Sequence, residues 1–245
     1  MRRLIPPASL LILLLLWQVL AWWFHSPLLP GPSEVFLLLA QAIESGELPY
    51  HLGITLSRLG ISFVLAMLLG CALGILMGQH RRLDQWLDPW LTVFLNIPAL
   101  VTIILCYVWF GLTEIAAIIA VVVNKLPNVA VALREGTRQL DRSLLEMAQV
   151  YRFGRWKTLR HVIWPQLYPF VMTAARTGLA LIWKIILVVE LLGQSNGMGY
   201  QLHLFFQLFD VAAILAYTLA FVIVIQILEW TILQPLDHYA NRWRR

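Results

Sequence analysis

The chain has 245 residues, 60% of them apolar and only 13% charged, with a formal net charge of +5. A soluble domain carries about 25% charged residues, so an ordinary water-soluble enzyme is excluded, and so is a disordered tail protein. The basic excess does not point to nucleic acid, because a binder this apolar would not stay in solution; the length instead accommodates about six membrane helices with their loops.

Taken in chain order, Met1-Arg2-Arg3 is followed by an apolar run to Phe24. A cleaved signal needs small residues at its end, whereas this run closes on Ala21-Trp22-Trp23-Phe24-His25, the aromatics of an interfacial belt. A retained first helix is therefore expected. Ser33 to Gly46 then opens like a helix lying along the membrane, with Ser33 as N-cap and Glu34 in the first turn. Crossings are expected at Leu59 to Gly78, at Leu91 to Phe110 (which carries Asn96 and Pro98) and at Ile115 to Leu133. Val162 to Leu192 holds one more, its start kinked by Pro165 and Pro169. Tyr200 to Phe209 is aromatic but too short to cross, and Val211 to Leu228 is the last span. Together with the first helix these make an all-α membrane protein of six transmembrane helices. The expected organisation is residues 1–50 as first helix and outer segment, 51–235 as the transmembrane domain, and 236–245 as a basic tail. Cys71 and Cys106 fall inside apolar runs and read as small fillers.

Basic residues orient the spans. Arg2 and Arg3, Arg81 and Arg82, a cluster from Arg134 to Arg160, and Arg242, Arg244 and Arg245 all fall on one side of a six-span topology. The opposite loops, about 26–53, 111–114 and 194–210, contain no Lys or Arg. The positive-inside rule then places both termini in the cytoplasm.

No catalytic constellation is present. None of Lys125, Lys157 and Lys184 follows a glycine as a P-loop lysine must, and the histidines lack metal-ligand spacing. Catalytic residues and metal ligands are therefore both read as none. Gly70, Gly74 and Gly78 recur every fourth residue and form a flat face for close helix packing, within the monomer or against a second subunit. Lys125 and Lys184 sit near mid-depth of their spans, where a lysine costs on the order of 3 kcal/mol and is normally paired or facing water. The residues one helical turn away are Val121, Val122, Asn128 and Val129 for the first, and Ala180, Leu181, Leu187 and Val188 for the second. Each lysine must look across to an acid such as Glu114 or Glu190, or into a cationic path for an anionic substrate.

The segment from Arg134 to Pro165 is charged, amphipathic and helix-favouring, and reads as a surface helix pair beneath the membrane. Tyr151, Phe153 and Trp156 among its arginines have the composition of a protein interface.

Glu146-Met147-Ala148-Gln149-Val150-Tyr151-Arg152-Phe153-Gly154-Arg155-Trp156, running on to Val162-Ile163-Trp164-Pro165, resembles the EAA loop of bacterial ABC-importer permeases. Arg152 stands where that family has glycine, and Gly154 follows two residues later, so a shifted or differently formed bend is expected. Leu29-Pro30-Gly31-Pro32-Ser33-Glu34-Val35 is similar to the entry of the nitrate/sulfonate/taurine subgroup. So are Gly78-Gln79-His80-Arg81-Arg82-Leu83-Asp84-Gln85-Trp86-Leu87-Asp88-Pro89, Asn96-Ile97-Pro98-Ala99, Glu190-Leu191-Leu192-Gly193 and Gly197-Met198-Gly199-Tyr200. The resemblance covers about residues 29–235.

It implies a type I ABC importer permease fold with a coupling loop at about 134–165. It also implies a second copy of the chain, two copies of a cytoplasmic ABC ATPase, and a periplasmic or lipid-anchored substrate-binding protein, in a bacterial inner membrane. ATP and Mg would be used by the ATPase, and the chain itself would be neither an enzyme nor a cofactor binder. Glu146, Met147, Ala148, Tyr151, Arg152, Gly154, Arg155 and Trp156 would contact that ATPase. Lys125, Lys184, Asn96 and Glu190 are the substrate-path candidates for a small solute such as a sulfonate or nitrate. An ion-coupled secondary transporter is the alternative, although many such folds show repeated halves and none is visible here.

Overall fold

The computed structural model describes the backbone of residues 5–24, 26 and 28–235, with side chains from residue 11 onward except those of 25, 27, 232 and 233. The basic ends, Arg2 and Arg3 and the tail 236–245, lie outside the described residues.

Every regular element among the described residues is helical. In order the α-helices are α1 (Ile5–Phe24), α2 (Pro32–Glu44), α3 (Glu47–Gln79), α4 (Arg81–Asn96), α5 (Ala99–Phe110), α6 (Glu114–Arg138), α7 (Arg142–Val150), α8 (Arg155–Thr158), α9 (Trp164–Gly193), α10 (Met198–Gln207) and α11 (Val211–Leu228), with π-helical turns at Leu159–Ile163, between α8 and α9, and at Glu229–Leu233, after α11. Among the described residues three helices are long and apolar enough to cross a membrane, and a fourth crossing is available if α4 and α5 form one bent span. At 30 residues α9 is about 45 Å long, ample for a crossing, but it carries Arg176, Lys184 and Glu190.

Three elements differ from the sequence expectation. The span expected from Leu59 begins at Glu47, so Arg58 lies inside the membrane helix rather than at its edge. The reason is Glu114, whose Oε2 accepts from Arg58 Nε at 2.8 Å and whose Oε1 accepts from the second guanidinium nitrogen. A charge that would forbid the helix is thereby matched. The crossing expected from Leu91 to Phe110 is broken, with α4 and α5 meeting at 99°. Pro98 has no N–H to donate and forces Ile97 into an extended conformation with ψ 124°, which ends α4 at Asn96. Finally, α2 is capped by Gly31 with Pro32 in its first turn, not by Ser33. Proline at the helix start has no N–H to leave unsatisfied, so the helix needs no side-chain cap there.

The chain divides into two compact units. In the first, residues 1–55 with 190–227, α1 meets α2, and Trp17 Nε1 donates to the Pro30 carbonyl at 3.0 Å. Tyr217 on α11 stacks edge-on against Phe205 of α10 at 4.9 Å.

The second unit, 56–189 with 228–245, is organised around α6. The α3 glycines pack directly on it: a Cβ at Gly70 would lie 2.6 Å from Val129 Cβ, at Gly74 2.3 Å from the Ala130 carbonyl oxygen, and at Gly78 2.5 Å from Thr137 Cβ. Contacts at such distances exist only because no side chain intervenes. Residue numbers rise together along both helices, so α3 and α6 run parallel. The core beside them holds Met77, Leu91 and Ala130 on one side and Val129, Leu133 and Ala174 on the other.

Candidate functional site

Beyond the C-terminus of α6 the chain turns through Gln139 and Leu140 into α7. Asp141 caps this helix: its Oδ1 accepts from the Ser143 amide at 2.8 Å and from the Ser143 hydroxyl at 2.6 Å. Those two donors hold the exposed Asp141 carboxyl below the usual carboxylate range. The Asp141 amide donates in turn to Gln166 Oε1 at 2.8 Å, tying the start of α7 to α9.

The far end of α7 is closed by a Schellman arrangement. Phe153 N–H donates to the Ala148 carbonyl at 2.8 Å and Arg152 N–H to that of Gln149 at 2.9 Å. The first residue past the cap, which donates the inner of the two bonds, must be left-handed, and Arg152 is, with φ 53°. The bend therefore stays at the position where the resembling family carries glycine, and it is not displaced to Gly154. Gly154 has φ −63° and ψ 159°, an ordinary extended conformation at the start of α8. An arginine in that conformation costs about 1–2 kcal/mol relative to glycine, which the two backbone bonds offset.

Along α7 one face is buried and the other free. Ala148 is buried, whereas Glu146, Met147, Tyr151, Arg152, Gly154, Arg155 and Trp156 are exposed. Val150, Tyr151 and Trp156 are exposed apolar side chains in a segment that also exposes Arg142, Arg152, Arg155 and Arg160, with Lys157 held 4.4 Å over the Phe153 ring. Large apolar surface rimmed by charge marks an interaction site.

The four substrate-path candidates separate by burial. Lys184 and Asn96 are exposed, and Lys184 Nζ lies 5.4 Å over its neighbour Trp183. Asn96 donates to the Thr92 carbonyl at 2.7 Å on the last turn of α4. Lys125 is only 2% exposed and packs along Gly178 and Phe63, where a Cβ on Gly178 would meet Lys125 Cε at 2.9 Å. Glu190 is wholly buried. Glu114, one of the acids the sequence offered as a partner for these lysines, is instead paired with Arg58.

Glu190 belongs to a polar knot that builds the start of α10. Three successive amides there receive side-chain acceptors: Gly197 N–H donates to His51 Nδ1 at 3.0 Å, Met198 N–H to Thr55 Oγ1 at 2.8 Å, and Gly199 N–H to Glu190 Oε2 at 2.9 Å. Thr55 Oγ1 also lies 2.9 Å from both Glu190 oxygens, and the Gln201 amide lies 2.7 Å from His51 Nε2. The helix begins at Gly197 with φ 103°, where a Cβ would fall 2.4 Å from the Glu190 carboxyl carbon. A negative group at a helix start also complements the dipole. His51 and Thr55 escaped the sequence reading; their only signal was polar residues one turn apart at the head of an apolar run.

The class of protein is a helical membrane scaffold carrying an exposed basic-aromatic loop. Residues 66–232 match the family described as the binding-protein-dependent transport system inner membrane component. The chain belongs to that family and is a permease subunit of an ABC transporter. Two of its relatives bear the name "Putative aliphatic sulfonates transport permease protein SsuC". The one from Bacillus subtilis (strain 168) is 30% identical over 204 residues, 82% of this chain and 73% of the relative. The one from Escherichia coli (strain K12) is 33% identical over 186 residues, 75% of this chain and 71% of the relative. The fold resembles that in the crystal structure of an amino acid ABC transporter with histidines, at a TM-score of 0.66 and 17% identity over 82% of this chain and 97% of that one. The ion-coupled alternative is set aside by these matches.

Proposed function

We propose that two copies of this chain form the translocation path of an importer in a bacterial inner membrane, each crossing six times with both termini in the cytoplasm. A separate ATPase, using ATP and Mg, docks on α7 of each copy, and a binding protein delivers the solute to the opposite face. The chain itself catalyses no reaction. The observation that carries this reading is α7: a short, capped helix with Ala148 buried beneath it and Glu146, Met147, Tyr151 and Trp156 presented to solvent. Docking a nucleotide-driven partner there would transmit its closure to α6 and α9, the two long helices that flank the loop.

The test is a mild-detergent pull-down of the tagged chain from its native cells beside Glu146→Arg. An ATPase should accompany the parent and fall about tenfold in the variant, a loss of roughly 1.4 kcal/mol of binding. If no ATPase accompanies an abundant, folded parent chain, the docking role of α7 is wrong.

We further propose that the solute is a small anion. Lys184 supports this, being an exposed cation in the C-terminal third of α9 with its Nζ 5.4 Å from the Trp183 ring centroid, and so do the aliphatic sulfonates in the relatives' names. Lys125 and Glu190, being buried, serve structure rather than the path. In liposomes holding the assembled transporter, Lys184→Glu should cut uptake of ethanesulfonate, nitrate or bicarbonate at least about tenfold while Lys184→Arg keeps most of it. Parent-level uptake by the glutamate variant, or no uptake of any of the three by the parent, would remove the anion assignment.

A further inference from the structure

The motif Arg81-Arg82-Leu83-Asp84-Gln85-Trp86-Leu87-Asp88 has no part in docking or in the path, yet its two aspartates are one helical turn apart on α4. Opposite them on α6, Arg134 and Arg138 are also one turn apart. The two pairs meet. Arg134 Nη1 donates to Asp84 Oδ1 at 3.3 Å and to Asp88 Oδ1, and Arg138 Nη2 donates to Asp84 Oδ2. Glu135 Oε1 completes the group, accepting from Arg134 Nε at 3.2 Å and from Arg138 Nη1 at 3.1 Å.

An isolated surface ion pair contributes little. This one is different in two respects. The Asp84 and Arg134 side chains are 13% and 12% exposed, so solvent screens their contact weakly. Asp84 is also shared by both arginines, and Arg134 meets three acids and Arg138 two, which makes the five charges one network rather than separate pairs. Both helix dipoles favour it, with Asp84 in the first turn of α4 and Arg138 in the last turn of α6. On the opposite side of α4, Trp86 and Trp90 are exposed, so α4 presents its acids to α6 and its tryptophans outward.

Arg138 is three residues before Asp141, the cap of α7. We propose that this cluster is what sets the direction in which the chain leaves α6 for α7, making Asp84, Arg134 and Arg138 positioning residues for the coupling loop. Gly78 against Thr137 fixes α3 to the same turn of α6. The cluster adds α4, and with it the 99° bend into α5, so a displacement of α7 reaches that bend through ion pairs as well as through the backbone. The functional half of this inference rests on α7 being the ATPase contact.

The experiment uses the full chain in lipid nanodiscs, as Asp84→Arg, Arg138→Asp and the exchanged pair Asp84→Arg/Arg138→Asp. Trypsin cutting within residues 142–157 should speed up about fivefold in each single variant, with the thermal midpoint within about 2 °C of the parent. The exchanged pair should cut about twofold more slowly than either single variant without regaining the parent rate: it restores the 84–138 contact and Arg134 keeps Asp88 and Glu135, but the new arginine faces Arg134 and the new aspartate faces Glu135. Asp84→Asn, which deletes the charge without reversing it, should give an intermediate rate and serves if the arginine variant does not fold. Single variants that cut at the parent rate, or an exchanged pair no slower than the singles, would overturn the proposal. ATPase retained by each form is scored alongside: loss in the singles with recovery in the exchange places the cluster in coupling. Absence from the parent itself counts against α7 as the docking site, while the cutting rates still decide whether the cluster holds the loop.

Discussion

Gly74→Val should be the most damaging single substitution in α3, lowering the thermal midpoint sharply or abolishing recovery of folded protein. A Cβ at this position would sit 2.3 Å from the Ala130 carbonyl oxygen and 2.9 Å from Leu133 Cβ, so the first obstacle is backbone, which cannot rotate away. Relief requires α3 and α6 to separate along the whole stripe of Gly70, Gly74 and Gly78, giving up contacts at all three levels. Overpacking of this kind costs about 1–3 kcal/mol where neighbours can yield, and here they cannot. No hydrophobic gain offsets it, because lipid tails are as apolar as the side chain being added. Gly60, on the same helix with nothing within 4 Å of its would-be Cβ, is the internal control. Gly60→Ala should leave the midpoint unchanged or raise it, alanine being the better helix former by about 1 kcal/mol. A Gly74→Val protein that melts with the parent would show that the α3–α6 contact is looser than its geometry.

Glu190→Ala should release the start of α10. The substitution removes the acceptor of the Gly199 amide and one of the acceptors of the Thr55 hydroxyl, which keeps the His51 carbonyl at 3.1 Å, and leaves a void in a fully buried place. A stranded buried donor costs about 1–3 kcal/mol and the lost volume adds to that, so a total of several kcal/mol is expected locally. Hydrogen exchange of the amides of residues 198–203 should accelerate at least about a hundredfold, with α6 little changed. Glu190→Gln keeps the volume and one carbonyl acceptor, and should fall between the two. Unaltered exchange in Glu190→Ala would mean that His51 and Thr55 alone hold the turn.

Burial explains why Glu190 looked like part of a path. An acid in an apolar run has two ordinary uses, lining a polar route or neutralising buried donors, and both produce the same letters. The acceptors it shares the work with, His51 and Thr55, lie more than 130 residues away, so no local pattern links them. The same is true of Arg58 and Glu114, 56 residues apart, and of the two aspartates and two arginines that join α4 to α6. The glycine stripe was visible, but which helix it meets depends on the path of α6. The bend at α4–α5 was half visible in Pro98, which was read as a feature inside a span rather than as its break.

Composition, the run lengths of apolar residues and the Arg134–Arg160 basic cluster were enough to read a helical membrane protein, because these depend on short-range chemistry: the cost of charge in lipid and the spacing of one helical turn. The family came from resemblance, carried by the ordered series of motifs between about residues 29 and 235 and not by any one of them. What only the tertiary structure decided was which polar groups meet. Lys125 and Lys184 are alike in sequence, an isolated lysine among apolar neighbours. One is enclosed by α9 through Gly178 and the other faces outward, and that difference is a property of helix packing, set by contacts between residues far apart in the chain.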